Sequence, residues 1–166
     1  MLNVLNKKIN LNKSVLICGA PCSGKTTILR DLARLISYTN KVSLIDTRLE
    51  LASCDKGIAQ FDIGLSDVFS AYNKTDGFEH AVRCMSPEYI ICDEISFEDI
   101  NAVENAAKCG VKVIASAHWR NKNELISKPD LLKLAKSRCF GTFVFLKDRE
   151  NIGQVSEIIN GDKFYA

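Results

Sequence analysis

Ser14-Val-Leu-Ile-Cys18-Gly19-Ala20-Pro21-Cys22-Ser23-Gly24-Lys25-Thr26-Thr27 decides the fold. Its first five residues are a short apolar run of the kind that makes a buried strand. Gly19 to Thr26 then match the spacing GxxxxGK[ST]. From Lys25 to Tyr38 apolar residues recur at Ile28, Leu29, Leu32, Leu35 and Ile36, which is helical spacing. A glycine turn between strand and helix points several backbone N–H groups inward, and the helix adds the positive end of its dipole. Together they make a cradle for phosphate oxygens. In that cradle Lys25 is placed to reach the β- and γ-phosphates, Thr26 to ligate Mg²⁺ through its hydroxyl, and Thr27 to bond the α-phosphate. The expected fold is therefore a P-loop nucleotide triphosphatase.

Outward from this stretch, short β-branched runs alternate with helical patterns. Val42–Asp46, Tyr89–Cys92 and Val111–Ala117 are expected strands. The spacing predicts helices over Phe78–Met85, Phe97–Cys109 and 131–137, with Gly110 at a C′ position. The stretch from Thr47 to Asp76 is less regular and is expected to hold loops and a short helix near Asp67–Tyr72. Thr142–Leu146 and Gln154–Ile159 flank a polar turn with Gly153, the pattern of a hairpin. Such alternation implies an α/β fold: a mostly parallel sheet with helices on both faces and a C-terminal β-hairpin.

In a parallel sheet, ligands bind beyond the C-terminal strand ends. Asp93 and Glu94 end the strand Tyr89–Cys92. Asp93 is the candidate Mg²⁺ holder, and Glu94 the candidate to polarise the attacking water. His118 ends the strand Val111–Ala117 and is placed to bond the γ-phosphate or orient water. Asp46, Arg48 and Glu50 follow a further strand; they either line the site or form a surface salt-bridge cluster. The adjacent carboxylates favour transfer to water over transfer to a metabolite. Two other functions stay open: a nucleotide-gated binding module that barely hydrolyses, and a small-molecule kinase or nucleotide phosphatase on the same fold.

The 166 residues suit one domain, 1–166, with 1–13 as a lead-in. A net charge of +2 is too mild to mark nucleic acid or an anionic membrane as the partner. No apolar run reaches the ~20 residues that span a bilayer, and the N-terminus lacks the pattern of a signal peptide. Direct membrane insertion is therefore not expected. The seven cysteines are odd in number and form no CxxC pair. They are expected to be buried, reduced thiols of a cytoplasmic protein.

The runs GAPCSGKTTILRDLAR, IDTRLELAS and VRCMSPEYIICDEISFEDINAVENAAKCGVKVIASAH resemble the ATPase core of the stage III sporulation protein AA family, itself similar to the secretion and type IV pilus ATPases. The resemblance extends from Ser14 to Ile158. It implies a RecA-like ATPase using ATP and Mg²⁺, acting on the mother-cell side of a membrane channel complex, as a homo-oligomeric ring. By the same resemblance Gly19 to Thr27 match Walker A, and Asp93 and Glu94 match Walker B. Asp46, Arg48 and Glu50 match an acidic-box region, His118 a histidine-box region, and Arg83 an arginine of the secretion ATPases. Members carry an extra N-terminal domain, which this chain is expected to lack. Its loop Gly57–Gly64 is also poorer in glycine and proline than the family's.

Overall fold

The computed structural model describes residues 9–121, 124 and 136–164. Seven strands join one sheet. β1 (Val15–Cys18) leads through the phosphate loop into α1 (Lys25–Ile36), and β2 (Val42–Asp46) follows. β3 (Asp67–Ser70), α2 (Lys74–His80), β4 (Tyr89–Glu94), α3 (Ile100–Lys108) and β5 (Lys112–Ala117) come next. β6 (Thr142–Leu146) and β7 (Val155–Asn160) close the sheet, and a last short helix, α4, is Gly161–Phe164. The spatial order is β3-β2-β4-β5-β1-β6-β7. All neighbours are parallel except β6 and β7, which form the expected antiparallel hairpin.

The pleat splits the core into two layers. Leu16, Ile45, Ile90 and Val113 face Phe78 of α2 and Val103 of α3. Val15, Ile17, Leu44, Ile91 and Ile114 face Ile28, Leu29 and Leu32 of α1. Because β1, β2 and most of β4 are buried on both faces, their sequences are continuous apolar runs rather than alternations. Each fully buried Leu or Ile contributes roughly 1.5–3 kcal/mol.

Two expectations are corrected between β2 and β4. The helix expected near Asp67–Tyr72 is instead the edge strand β3, paired from Ser43↔Asp67 to Asp46↔Ser70. Ser66-Asp67 has the composition of a helix cap, but Val68 and Phe69 favour a pleated surface, and β2 supplies the hydrogen bonds. The helix expected over Phe78–Met85 starts earlier, at Lys74, capped by Asn73, whose side chain accepts from the Asp76 N–H at 2.9 Å. It then widens into a π turn over Ala81–Met85. Gly77 hid this start, since glycine disfavours helix. It is tolerated because a Cβ there would stand 3.0 Å from Ile45 Cγ2, so the helix needs glycine to approach the sheet.

The helix expected over Phe97–Cys109 is a 3-10 turn, Phe97–Asp99, running into α3. Gly110 takes the left-handed conformation that closes it, at φ +81°. The helix expected at 131–137 lies, but for its last two residues, outside the described residues. Among the cysteines, Cys18 and Cys92 are buried thiols as expected, while Cys22, Cys84 and Cys109 are exposed.

Candidate nucleotide site

Strand register builds the site. Cys18 of β1 stands opposite Ala117 of β5, and Ser116 of β5 stands opposite Glu94 of β4. The phosphate loop, Glu94 and His118 therefore arrive at one edge of the sheet. Between Ile91 and Glu94, β4 advances three residues while β5 advances two, from Ile114 to Ser116. This bulge re-aims the acidic pair at the strand's end.

The loop leaves β1 with the Gly19 N–H donating to Ala117 O at 3.3 Å and enters α1 with the Ile28 N–H donating to Gly24 O at 3.1 Å. Gly24 has φ +96°, and a Cβ there would lie 3.0 Å from the Gly153 nitrogen. That nitrogen donates to Ser23 O at 2.9 Å, so the turn of the C-terminal hairpin braces the loop from outside. A Cβ on Gly19 would lie 2.4 Å from Ser23 Oγ. Ser23 is itself fully buried, and its hydroxyl has no hydrogen-bond partner. A buried orphan hydroxyl inside a glycine cradle fits an anion with several acceptor oxygens.

Lys25 is 7% exposed, and its ammonium donates to Gly19 O at 2.9 Å and to Ala20 O at 2.8 Å. Burial holds its pKa below the usual lysine value, with Glu94 pulling the other way. The same ammonium lies 3.2 Å from His118 Nδ1. A lysine ammonium can only donate, so Nδ1 accepts, and the His118 proton sits on Nε2. Nε2 in turn stands 3.0 Å from Glu94 Oε2, which Arg48 also reaches at 3.0 Å. Lys25, His118 and Glu94 thus form one relay from phosphate loop to acidic pair.

Asp93 is 5% exposed. Its Oδ2 accepts from the Thr47 hydroxyl at 2.7 Å and the Arg48 N–H at 3.3 Å. Its Oδ1 has no hydrogen-bond partner, and faces the Lys74 ammonium at 3.3 Å. A buried carboxylate oxygen without a hydrogen bond is the kind of oxygen donor that Mg²⁺ takes.

Asp46 departs from the expectation that it lines the site. It is fully buried, and its oxygens accept from the N–H groups of Glu50, Leu51, Ala52 and Ser53 at 2.8 to 3.2 Å. Its carboxylate is spent on folding the loop after β2. Glu50 is exposed, and its carbonyl accepts from Arg30 at 2.8 Å. Arg30 also stacks 3.7 Å over Phe61, tying α1 to that loop. Arg83 pairs with Glu79 at 2.6 Å on the outer face of α2 and the π turn. Sequence reading missed Thr47 and Lys74, both of which hold Asp93. The dipeptide Asn73-Lys74, which opens a short helix, carries no motif that points to the lysine.

A family model described as sporulation stage III, protein AA matches residues 2–163. The stage III sporulation protein AA of Bacillus subtilis is 40% identical over 157 residues, covering 90% of this chain and 51% of that protein. The chain belongs to the sporulation stage III protein AA family. It spans about half the length of that Bacillus relative. Among solved structures, the Legionella pneumophila ATPase DotB is 20% identical, with a TM-score of 0.60 over 87% of this chain and 43% of that one. The VirB11 ATPase of the Brucella suis type IV secretion system, solved with sulphate, is 15% identical, with a TM-score of 0.63 over 99% of this chain and 54% of that one. At these identities the likeness establishes the fold of this family member, a mostly parallel P-loop sheet with helices. Among the described residues no helix is long and apolar enough to cross a membrane.

Proposed function

We propose that this chain is a Mg²⁺-dependent ATP hydrolase, working as a homo-oligomeric ring on the mother-cell, cytoplasmic side of a membrane channel complex in sporulation. The observation that supports hydrolysis most directly is the relay Lys25–His118–Glu94, which joins the phosphate loop to a carboxylate at one sheet edge. ATP as the nucleotide, and the ring and channel, rest on family membership and on the similar folds named ATPases.

In this reading Gly19 to Thr27 wrap the phosphates with backbone N–H groups. Lys25 exchanges the carbonyls of Gly19 and Ala20 for β- and γ-phosphate oxygens. Thr26 and Asp93 would hold Mg²⁺, which neutralises charge on the phosphate oxygens when bound. His118, released from the ammonium, keeps its Nε2–H on Glu94 and so orients the carboxylate that works on the water. The Glu94 carboxylate takes the proton of the attacking water as the water oxygen bonds the γ-phosphorus and the bond to ADP breaks. Asp46 contributes the loop geometry, and Arg48 restrains Glu94.

Calorimetry and phosphate release on three proteins test this. Lys25→Ala should lose about ten- to a hundredfold in Mg·ATP affinity, as expected of a charge-assisted contact of ~1.5–3 kcal/mol. Glu94→Gln should bind ATP normally while turnover falls by roughly 10²–10⁴. Equal turnover by wild type and Glu94→Gln would move the base elsewhere. Tight binding with no turnover at any protein concentration would leave the nucleotide-gated binding module.

A further inference from the structure

Lys74 is a nearly buried cation with no part in the relay. Asn73 caps α2 and so fixes where the Lys74 side chain begins. The side chain is 13% exposed and runs to the end of β4. There the ammonium pairs with two carboxylates, Asp93 Oδ1 at 3.3 Å and Asp99 Oδ2 at 3.6 Å, and donates to the main-chain carbonyl of Glu94. Asp99 Oδ2 also accepts from the Ser96 N–H at 2.7 Å and the Ser96 hydroxyl at 3.0 Å, which closes the turn after β4.

Burying a lysine costs several kcal/mol before its partners offset it, and an apolar side chain of similar length would fill the same space without that cost. What the charge adds here is position. Its three partners lie immediately before, at, and five positions after Glu94, whose side chain meets His118 and Arg48. The bulge in β4 shifts the register at this point; the Ile95 N–H still donates to Ser116 O at 2.8 Å, and the lysine adds a second tie from outside the sheet.

We infer that Lys74 is a positioning residue: its ammonium clamps the bulged end of β4 and thereby sets the Glu94 side chain against His118. The inference rests on the proposed role of Glu94. For hydrolysis it implies that the lysine acts through geometry alone, because a misplacement of about 1 Å can cost about a hundredfold in rate.

Long-range ¹⁵N spectra of the imidazoles test this without needing turnover. The chain has two histidines. His80 lies on α2, with Nδ1 2.9 Å from Asp76 O, and reports on that helix. His118 reports on Glu94. In Lys74→Met the His118 Nε2–H signal should shift as its hydrogen bond to Glu94 is lost, while His80 stays unchanged. Turnover should fall about a hundredfold. Lys74→Arg, which keeps the charge, should retain the wild-type His118 signal. If Lys74→Met fails to fold, Lys74→Met with Asp99→Asn removes one charge of each sign and is read in the same way. An unchanged His118 signal in the folded variant overturns the inference, whatever the wild-type activity. A wild type that does not hydrolyse ATP, with His118 still shifting in the variant, would sink the hydrolase proposal and leave the clamp standing.

Discussion

Replacing Gly24 by alanine perturbs the phosphate loop by a single carbon. At φ +96° an L-residue carries a strain of roughly 1–2 kcal/mol. The added Cβ would press on the Gly153 nitrogen at 3.0 Å and on Ile152 Cγ2 at 3.1 Å. Relieving that pressure loosens the bond from the Gly153 N–H to Ser23 O, worth about 1 kcal/mol. Alanine also restricts the unfolded chain, which returns about 0.4–1 kcal/mol. The net expectation is a destabilisation of about 1–3 kcal/mol. For a domain of this size that lowers the melting temperature by roughly 2–12 °C. Thermal unfolding measures the stability, and calorimetry with Mg·ATP measures the cradle. Because the strain sits where α1 begins, nucleotide affinity should fall as well. A variant that melts within about 1 °C of wild type and binds Mg·ATP unchanged would refute the claim that the hairpin turn and the left-handed glycine shape the loop.

Two further outcomes follow from the same loop. Cys22 is exposed at φ +63° within the cradle, so alkylation should block nucleotide binding and bound Mg·ATP should slow the reaction, as mass spectrometry of the labelled peptide will report. Lys25 has its pKa lowered from 10.5, chiefly by burial, so it sheds its proton before an ordinary lysine does. ATP affinity should therefore begin to fall on the alkaline side below pH 10.5, a limb that Lys25→Ala lacks. The stability effect has the opposite sign: over that window the unfolded chain holds the proton more firmly, so this group makes stability rise with pH.

The phosphate loop was legible because its chemistry and its fold use the same residues. Glycines, lysine and threonine at fixed spacing between a strand and a helix admit one geometry. Glu94 and His118 were legible as strand ends, since a parallel sheet gathers those ends at one edge. Their contact with each other was not, because it depends on a one-residue bulge and on a tautomer. Asp46 was misread for a physical reason: an acid after a strand is equally suited to a ligand and to four backbone N–H groups, and only the course of residues 47–53 separates the two. Lys74 was invisible for the converse reason. Its partners lie 19 to 25 positions away, and nothing around it repeats or patterns. The edge strand β3 escaped because four residues with one buried side chain carry almost no period.

β1 precedes both of its neighbours in the sheet, β5 and β6, whose residues begin at positions 112 and 142. The brace on the phosphate loop comes later still, from Gly153. The nucleotide pocket therefore cannot be completed on a growing chain until Gly153 has left the ribosome, long after its signature motif has emerged. Until position 112 has emerged, β1 waits without either neighbour. Long-range pairing of this kind slows folding and leaves strand edges open to other chains. A nucleotide that binds only the finished cradle would act as a late check on assembly, drawing the completed chain out of that exposed population.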